Sequence, residues 1–365
     1  MKILLLGEYS NLHWTLAEGL RTLGHDVTVA SDGDGFKNNR RDIDLLRKSS
    51  DLSDTIDAIK NLYKNLDNFK GYDVVQLINP CFTTSNTRIN NYLYDFLRKN
   101  NDRIFLGAFG DDAYWLEACL NKDTFRYSEF YVNGKENFFS NNTYLKKIWA
   151  KGTPREKLNT KIADTCDGII SCLYEYYISY KSHYNDKLTY IPLPINLEKI
   201  RKTEIGLDEK INFFVGINKS RTHIKGTDRL YNTLLSVQSK YKDVVSISKV
   251  ESIAYLDYVK SIEKSDVVLD QLYSYSPAMN GLLTLALGKV LVSGAEPEMY
   301  DLLGEKENRP IVNVIPSEDD IFTKLENIIL NSPDLPEISN KGRAFVEKYH
   351  DHIKVARQYL DFWAR

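Results

Sequence analysis

The chain has 365 residues, which is longer than one hydrophobic core usually extends, so two domains are expected. Its composition, 42% hydrophobic and 27% charged, is that of a globular protein able to bury substantial cores. A formal net charge of −2 at pH 7 argues against a general nucleic-acid-binding protein, and no run of about 18 apolar residues predicts a transmembrane helix.

The first thirty residues have the pattern of a βαβ unit. Residues 3–6 are apolar throughout, as in a central parallel strand, and Gly7 ends the run. Leucines at helical spacing then predict a helix with Ser10 or Asn11 as its N-cap and Gly24 as its C-cap. The leucines of this helix are Leu12, Leu16, Leu20 and Leu23. Residues 26–30 are predicted to form the next strand.

The alternation of strands and helices continues to about residue 196. Strands are predicted at 73–78, 104–108, 168–172 and 188–196, and helices near 86–99, 155–165 and 174–183. Residues 113–160 are aromatic and polar without a clear period before the helix near 155, and we interpret them as an insertion or extended loop. Pro192 and Pro194 end strand pairing and stiffen the chain, which indicates a linker at about residues 192–205.

The same rhythm restarts after the linker. Strands are predicted at 211–216, 244–250, 267–272, 290–293 and 311–315, and helices at 226–240, 253–264, 280–287, 318–331 and 336–364. Two successive doubly wound α/β halves are therefore expected.

The four cysteines show no spacing typical of a zinc site or a disulfide framework. They are Cys81, Cys119, Cys166 and Cys172. The apolar run at the N-terminus is too short for a secretion signal. We therefore expect reduced, structural cysteines in a cytoplasmic protein.

Several segments in chain order resemble one family. MKILLLG with LAEGLRTLGHDVTV (1–7 and 16–29) is similar to its first βαβ unit, and IPLPINLEK (191–199) to its linker IPNGVDLEKF. FFVG with KG (213–216 and 225–226) resembles the strand and phosphate-side loop of its donor domain, LGKVLVSG with PE (287–294 and 297–298) its CGKPVVAS…PE, and RAFVEKY (343–349) its closing helices. These are features of the family-4-like, GT-B-fold glycosyltransferases.

The resemblance implies a GT-B architecture, with two Rossmann-like doubly wound domains facing an interdomain cleft. Residues 1–195 would form the acceptor-binding domain, 196–345 the nucleotide-sugar donor domain, and 346–365 a C-terminal helix crossing back to the first domain. It also implies sugar transfer from a nucleotide-diphospho-sugar to a glycan or lipid-linked acceptor, in surface polysaccharide or glycoconjugate synthesis. The transfer is expected to retain the anomeric configuration and to need neither a metal nor a cofactor.

Departures from the family pattern leave alternatives open. Tyr275 and Leu283 occupy positions where the family usually carries two donor-site glutamates, Ile217 replaces an arginine, and Phe109 replaces a histidine. The chain is thus a divergent member, a non-catalytic relative that binds nucleotide-sugar or glycan, or a GT-B-fold nucleotide-sugar epimerase. A dehydrogenase is disfavoured because the first βα turn lacks G-x-G-x-x-G.

Two segments are candidates for binding the donor diphosphate, which leaves with negative charge. Lys219, Arg221 and Lys225 follow a predicted strand and would neutralise that charge, unless they form only a solvated basic loop. Asn280 and Gly281 begin a predicted helix, whose free backbone N–H groups bind phosphate well. The alternative interpretation is an N-cap turn with Asn280 or Ser276 as the cap.

Three further residues are assigned to the donor nucleoside or sugar: Lys249, Asp270 and Glu298. Asp270 follows a strand at its carboxyl end, where ligands of open α/β sheets bind. An Asp that caps a loop explains the same pattern.

On the acceptor side, Asp111 and Asp112 follow a predicted strand, and either carboxylate would orient or deprotonate an acceptor hydroxyl. A helix N-cap accounts for one of them equally well. His13 is a further catalytic candidate, with packing as its alternative. The acceptor-side loop is predicted to comprise Gly7, Glu8, Tyr9, Ser10 and Asn11.

Residues 146–157 form a basic stretch that contains Trp149. Two interpretations of this stretch stay open: it docks weakly on anionic lipid at the inner face of the membrane, or it is a solvated helix face. The expected partners are therefore a nucleotide-sugar donor and a glycan or lipid-linked acceptor, without nucleic acid.

Overall fold

The computed structural model describes residues 1–137, 143–206, 209–219 and 221–365, except for the side chains of Phe36 and Thr143. Within these residues the strands are β1 (Lys2–Leu6), β2 (Asp26–Ser31), β3 (Ile43–Asp44), β4 (Val74–Leu77), β5 (Arg103–Ala108), β6 (Tyr131–Val132), β7 (Lys135–Glu136), β8 (Gly168–Ser171), β9 (Leu188–Tyr190), β10 (Ile211–Ile217), β11 (Val245–Glu251), β12 (Val267–Leu269), β13 (Val290–Ser293) and β14 (Val312–Asn313).

The α-helices of the same described ranges are α1 (Leu12–Thr22), α2 (Leu52–Lys64), α3 (Thr87–Asn100), α4 (Ala113–Leu120), α5 (Thr143–Trp149), α6 (Pro154–Thr165), α7 (Tyr174–Tyr184), α8 (Thr222–Lys225), α9 (Thr227–Lys240), α10 (Tyr255–Glu263), α11 (Met279–Ala286), α12 (Pro297–Leu303), α13 (Glu318–Leu330), α14 (Leu335–Tyr349) and α15 (His352–Trp363).

Two parallel sheets organise the chain. In the described residues the first has seven strands, in the order β3-β2-β1-β4-β5-β8-β9, and the second has five, in the order β11-β10-β12-β13-β14. Both orders reverse direction beside the strand that begins the sheet, between β1 and β4 and between β10 and β12. Ligands of doubly wound folds bind outside the carboxyl ends of the strands at such points. The expected pair of Rossmann-like α/β halves is confirmed.

The central strands are buried on both faces, as their apolar sequences predict. Ile3, Leu4, Leu5 and Leu6 of β1 are fully buried, and the strand pairs in parallel with β2 and β4. In the second sheet β10 has the same position between β11 and β12. Helices cover these sheets, because a parallel sheet needs apolar cover on both faces.

The stretch from 113 to 153 is not an extended loop where the structure describes it. Asp112 caps α4, a small antiparallel hairpin forms from β6 and β7, and α5 follows. Residues 138–142 of this stretch lie outside the described residues. Trp115, Phe130 and Trp149 belong to a separate apolar cluster in this stretch. The residues of the cluster come from several short elements, so the sequence shows no helical period here. Since Trp149 is buried, its indole is not exposed for lipid contact.

The predicted helix at 336–364 is broken. Asp351 lies between α14 and α15, and its carboxylate accepts the backbone N–H groups of Ile353 and Lys354, at 3.1 and 3.0 Å. The break lets the backbone at this point pair with the linker: Ile195 N–H donates to His350 O, and His352 N–H donates to Ile195 O, at 2.7 and 3.1 Å.

The last helix, α15, packs on α1 of the first sheet's domain. A Cβ atom on Gly19 of α1 would lie 2.4 Å from the carbonyl oxygen of His352, so glycine permits this close approach. The buried Trp363 donates its indole N–H to Gln76 Oε1 at 3.3 Å. The limits of the three predicted segments, 1–195, 196–345 and 346–365, stay a prediction.

Searched over its described residues, the fold contains no helix that combines the length and the apolar character needed to cross a bilayer.

Candidate active site between the two sheets

Lys225, Asp270 and Asn280 meet beside the reversal point of the second sheet. The Lys225 ammonium donates to Asp270 Oδ1 at 3.0 Å, and the Asn280 amide donates to the same oxygen at 2.9 Å. Lys225 is the last residue of the short helix α8, which follows β10. Asp270 comes directly after β12, and Asn280 lies in the first turn of α11. The structure thus brings together three of the residues that the sequence assigned to the donor.

Asp270 keeps one oxygen available. Its side chain is only 3% exposed, and Oδ2 has no hydrogen-bond partner among the described residues. Gly281 faces this oxygen, since a Cβ built on it would lie 3.6 Å from Oδ2. A buried acceptor of this kind is costly unless a donor reaches it, which favours a ligand hydroxyl or amide over a loop-capping role.

The helix that begins here is not capped by the residues considered in the sequence. The N-cap position of α11 is Ala278, which has no side-chain acceptor, so the interpretation of Asn280 or Ser276 as the cap is wrong. Ser276 instead accepts the backbone N–H of Tyr174 at 3.1 Å. The first-turn N–H groups of α11 therefore remain suitable for an anion.

Lys219 and Lys249 lie at the outer edge of the second sheet. Both pair with Glu251 at the end of edge strand β11, Lys219 at 3.1 Å and Lys249 at 2.7 Å. Lys249 also lies 4.7 Å from the centre of the Tyr231 ring. Among the described residues, the ion pairs of both lysines are with Glu251, and neither is with Asp270.

Arg221 faces the first domain. With Asp111, Glu129 and the apolar side chains around them, it lines a small cavity of about 20 Å³, which is room for about one water molecule. Burial raises the pKa of Asp111, while the Arg221 guanidinium opposes that rise. Burial also raises the pKa of Glu129 well above its usual range, and the neighbouring Asp111 adds to it. Glu129 had no sequence signal, because it lies in the aperiodic insertion.

Asp112 is fully buried and both of its oxygens are in use. Oδ1 accepts the N–H of Trp115 at 2.8 Å, as the N-cap of α4, and Oδ2 accepts the hydroxyl of Tyr180 at 2.7 Å. Burial raises the pKa of Asp112 to about 7. Of the two adjacent carboxylates, Asp112 is therefore placed as the cap, and Asp111 is the one that faces the cavity.

His13 is also fully buried. Its Nδ1–H donates to Gly7 O at 2.7 Å, whereas Nε2 has no partner among the described residues. Burial lowers the pKa of His13 to about 3, so the imidazole is neutral. This placement favours packing over proton transfer to an acceptor.

The first βα turn is held by Glu8. The Glu8 carboxylate accepts the N–H groups of His13 and Trp14, at 3.3 and 3.0 Å, and so caps α1 in place of Ser10 or Asn11. Burial raises the pKa of Glu8 to about 8.

Other residues of this loop shape its backbone. Gly7 has φ +90°, and a Cβ there would lie 2.2 Å from Ile78 Cγ2. Ser10 and Asn11 also have positive φ, and Ser10 N–H donates to Asp34 Oδ2 at 2.8 Å. The Tyr9 ring lies against Gly110, the residue before Asp111. The loop is therefore in contact with the segment that lines the cavity.

Glu298 contacts the first domain, through a residue that the sequence analysis missed. Arg126, just before the hairpin, pairs with Glu298 and, at 2.8 Å, with the buried Glu296. Glu296 also accepts the Tyr127 hydroxyl at 2.6 Å. These partners are about 170 positions apart in the chain, so local patterns carry no sign of them.

Tyr275, which replaces a family glutamate, is buried between aromatic rings of the first domain. Its ring stacks on those of Tyr127 and Tyr174, with centroids 4.9 and 5.4 Å apart, and its hydroxyl accepts the N–H of Arg126 at 2.7 Å. Leu283, at the other departure, is 8% exposed in the core. Neither position offers a carboxylate.

No protein-family model and no curated protein matches the chain. Solved structures with a similar fold include sucrose-phosphate synthase from Thermosynechococcus elongatus, 10% identical, with a TM-score of 0.61 over 100% of this chain and 98% of that one. HepE from Anabaena in complex with UDP and glucose is 12% identical, with a TM-score of 0.58 over 100% and 99%.

A TarM mutant from S. aureus, in complex with fondaparinux, α-GlcNAc-glycerol and UDP, is 10% identical, with a TM-score of 0.57 over 84% of this chain. The chain spans 59% of the length of that TarM chain. At these identities the likeness establishes the fold. Together with the two Rossmann-like sheets, it shows that the chain has an α/β GT-B fold.

Proposed function

We propose that the protein is a glycosyltransferase, which moves a sugar from a nucleotide-diphospho-sugar to a glycan or lipid-linked acceptor. The observation that carries the proposal is the meeting of Lys225, Asp270 and Asn280 at the reversal point of the second sheet. In folds of this type a ligand binds at that point, and these groups suit a donor that is anionic at one end and hydroxylated at the other.

In this reaction the bond from the sugar C1 to the diphosphate breaks, and the nucleoside diphosphate leaves with the electron pair. Lys225 and Arg221 would neutralise the developing charge, assisted by the N–H groups at the start of α11. Asp270 Oδ2 would accept a hydroxyl of the donor, with Lys225 and Asn280 fixing the carboxylate through Oδ1. Cations and helix N–H groups support a metal-independent reaction without a cofactor.

On the acceptor side, Asp111 is the carboxylate that faces the interdomain cavity. It would orient the acceptor hydroxyl and take up its proton as the hydroxyl oxygen forms the new bond to C1. Retention of configuration is part of the proposal by analogy with the family. So are a role in surface polysaccharide or glycoconjugate synthesis and a cytoplasmic location at the inner face of the membrane. TarM and HepE were solved with UDP, which favours UDP-sugars as the first donors to try.

The test is a panel of nucleotide-sugars incubated with the protein and candidate acceptors, with released nucleoside diphosphate as the readout. Release by the wild type and its loss in Lys225→Ala are expected. Lys240→Ala is the matched control, since Lys240 is an exposed lysine of the same domain that pairs with Glu326. A wild type that binds no nucleotide-sugar contradicts the proposal.

A second candidate, a non-catalytic protein that binds nucleotide-sugar, is favoured by two specific observations. Tyr275 and Leu283 are buried where the family carries donor-site glutamates, and Asp112 uses both oxygens within the protein. If this candidate is right, a nucleotide-sugar binds to the wild type and binds more weakly to Lys225→Ala. No sugar is then transferred to an acceptor, and no nucleoside diphosphate is released.

A further inference from the structure

The loop that joins Asp270 to α11 links two parts of the candidate site. Asp270 precedes this loop, Asn280 follows it, and the two side chains bond to each other at 2.9 Å. The position of the loop therefore sets the distance between the buried carboxylate and the first turn of α11. Within it, Gln271 Nε2 donates to Ser276 O at 3.1 Å.

A carboxylate of the first domain binds the middle of this loop. Glu175, in the first turn of α7, accepts three hydrogen bonds on Oε1: from Ser274 Oγ at 2.7 Å, Tyr275 N at 2.5 Å and Ser276 N at 3.2 Å. In return, the backbone N–H of Tyr174 donates to Ser276 Oγ at 3.1 Å. Hydrogen bonds thus run in both directions between α7 and three successive residues of the loop.

The aromatic contacts of Tyr275 hold the same loop from a second side. Its ring lies between Tyr127 and Tyr174, and its hydroxyl accepts the N–H of Arg126. All these partners belong to the first domain. The loop between the two donor-site residues is therefore held by groups of the first domain in addition to its own domain, from which Glu296 N–H donates to Tyr275 O at 3.0 Å.

A carboxylate at position 175 has a desolvation cost that a purely structural contact does not require. The residue is half-buried, its Oε2 has no partner among the described residues, and burial raises the pKa of the carboxyl. A neutral side chain would avoid this desolvation cost. The carboxylate does, however, offer one oxygen to three donors at once, which fixes the loop more firmly than a single neutral hydrogen bond.

We infer that Glu175 is a positioning residue for the donor: through Ser274, Tyr275 and Ser276 it holds the loop that sets Asp270 against α11. The inference rests on the proposed function, because it concerns the binding of a nucleotide-sugar at that site. It makes the first domain, which would bind the acceptor, also a determinant of donor affinity.

The experiment compares Glu175→Ala, Glu175→Gln and the wild type by donor KM, kcat and hydrogen exchange of residues 273–278. Glu175→Ala removes an acceptor shared by three donors of the loop and is expected to raise donor KM on the order of tenfold, with kcat changed less. Exchange of the Tyr275 and Ser276 amides is expected to accelerate. Glu175→Gln should restore most of the affinity, because its amide oxygen still accepts.

Two further variants complete the design. Glu117→Ala is the control, since this glutamate of α4 is exposed, with 68% of its side chain accessible. If Glu175→Ala fails to fold, Ser274→Ala removes one of the three donors and is expected to raise donor KM by a smaller factor, about threefold for a weak hydrogen bond.

Unchanged exchange, or faster exchange with unchanged donor KM, would overturn the inference while the proposed function stands. Equal effects of the alanine and glutamine variants would overturn it too, since they would point to general destabilisation. A wild type that binds no donor overturns the proposed function itself, and with it this inference.

Discussion

The Lys225 ammonium lies 3.0 Å from Asp270 Oδ1, although the two residues follow different strands of the second sheet and are 45 positions apart. The pair is asymmetric, because Asp270 is 3% exposed and the Lys225 side chain 29% exposed. The lysine is therefore the more solvent-accessible member, whereas Oδ1 of the buried aspartate depends on Lys225 and Asn280 for its hydrogen bonds.

Because the aspartate is buried, we expect the pair to contribute to the free energy of unfolding. Lys225→Ala leaves the buried Asp270 carboxylate with Asn280 alone on Oδ1, and is expected to lower the free energy of unfolding by about 1–3 kcal/mol. Adding Asp270→Ala to Lys225→Ala should cost less than the sum of the two single changes. Denaturant unfolding of the four proteins in the cycle measures the coupling, and strict additivity would contradict the pairing.

Asp112 is expected to act as a helix cap. Asp112→Ala should lower the free energy of unfolding by about 1–2 kcal/mol, whereas Asp112→Asn, which keeps an oxygen acceptor, should cost less. Chemical denaturation measures both, with Asn86→Ala as the matched change at the capped start of α3. In the transfer assay, Asp112→Asn should stay active. Loss of turnover in a stably folded Asp112→Asn would instead assign the carboxylate to catalysis.

Arg126 is expected to couple the two domains. Arg126→Ala removes its ion pairs with Glu296 and Glu298 and leaves Glu296 buried. Because half of the arginine side chain is exposed, the Glu298 pair contributes little, about 0–1 kcal/mol, and most of the loss should come from Glu296. Small-angle scattering should show a larger radius of gyration in this variant.

The control for Arg126 is Arg309→Ala, which removes an exposed pair with Asp301 inside the second domain. The pKa of Glu298 is lowered chiefly by its hydrogen bond to Arg126, so this contribution is present at neutral pH and lost as pH falls below the ordinary glutamate value of 4.5. An unchanged scattering profile in Arg126→Ala would contradict the role in domain coupling.

His350 is expected to make stability depend on pH. Burial lowers its pKa from 6.5 to about 4, so between these values the unfolded chain binds a proton that the folded chain does not. Stability should therefore fall as pH drops from 6.5 toward 4, by at most about 1.4 kcal/mol per pH unit for this one group. His350→Gln, whose amide still has a donor for Leu193 O, should flatten the slope in denaturation curves. An identical slope in the variant would exclude His350 as its source.

The fold was largely predictable, because fully buried parallel strands are uninterrupted apolar runs such as 3–6 and 290–292. Elements with little burial were missed. The helix α2 was missed although Leu52, Ile56, Ile59 and Leu62 recur at helical spacing; of these four, Leu62 is the buried one. The short strand β3 and the helix α12 were missed because two and seven residues are too few to show a period.

The site was predictable where it follows strand ends. Asp270 was found in this way, because ligands of open α/β sheets bind at the carboxyl ends of the strands. Lys225 was found in a basic segment between a strand and a helix, and Asn280 at a helix start. Glu129, Glu175 and Arg126 were not, since their roles depend on contacts between domains. Their partners lie about 100 or more positions away for Glu175 and Arg126, and no local pattern encodes such a distance.

The central claim is that a nucleotide-sugar binds beside Lys225 and Asp270. Calorimetric titration of the wild type and Lys225→Ala with UDP-sugars tests it most directly. We predict saturable binding of at least one UDP-sugar to the wild type and an affinity on the order of tenfold or more weaker in the variant, as expected for loss of a charged phosphate contact. Equal affinity of the two proteins for that donor would contradict the claim.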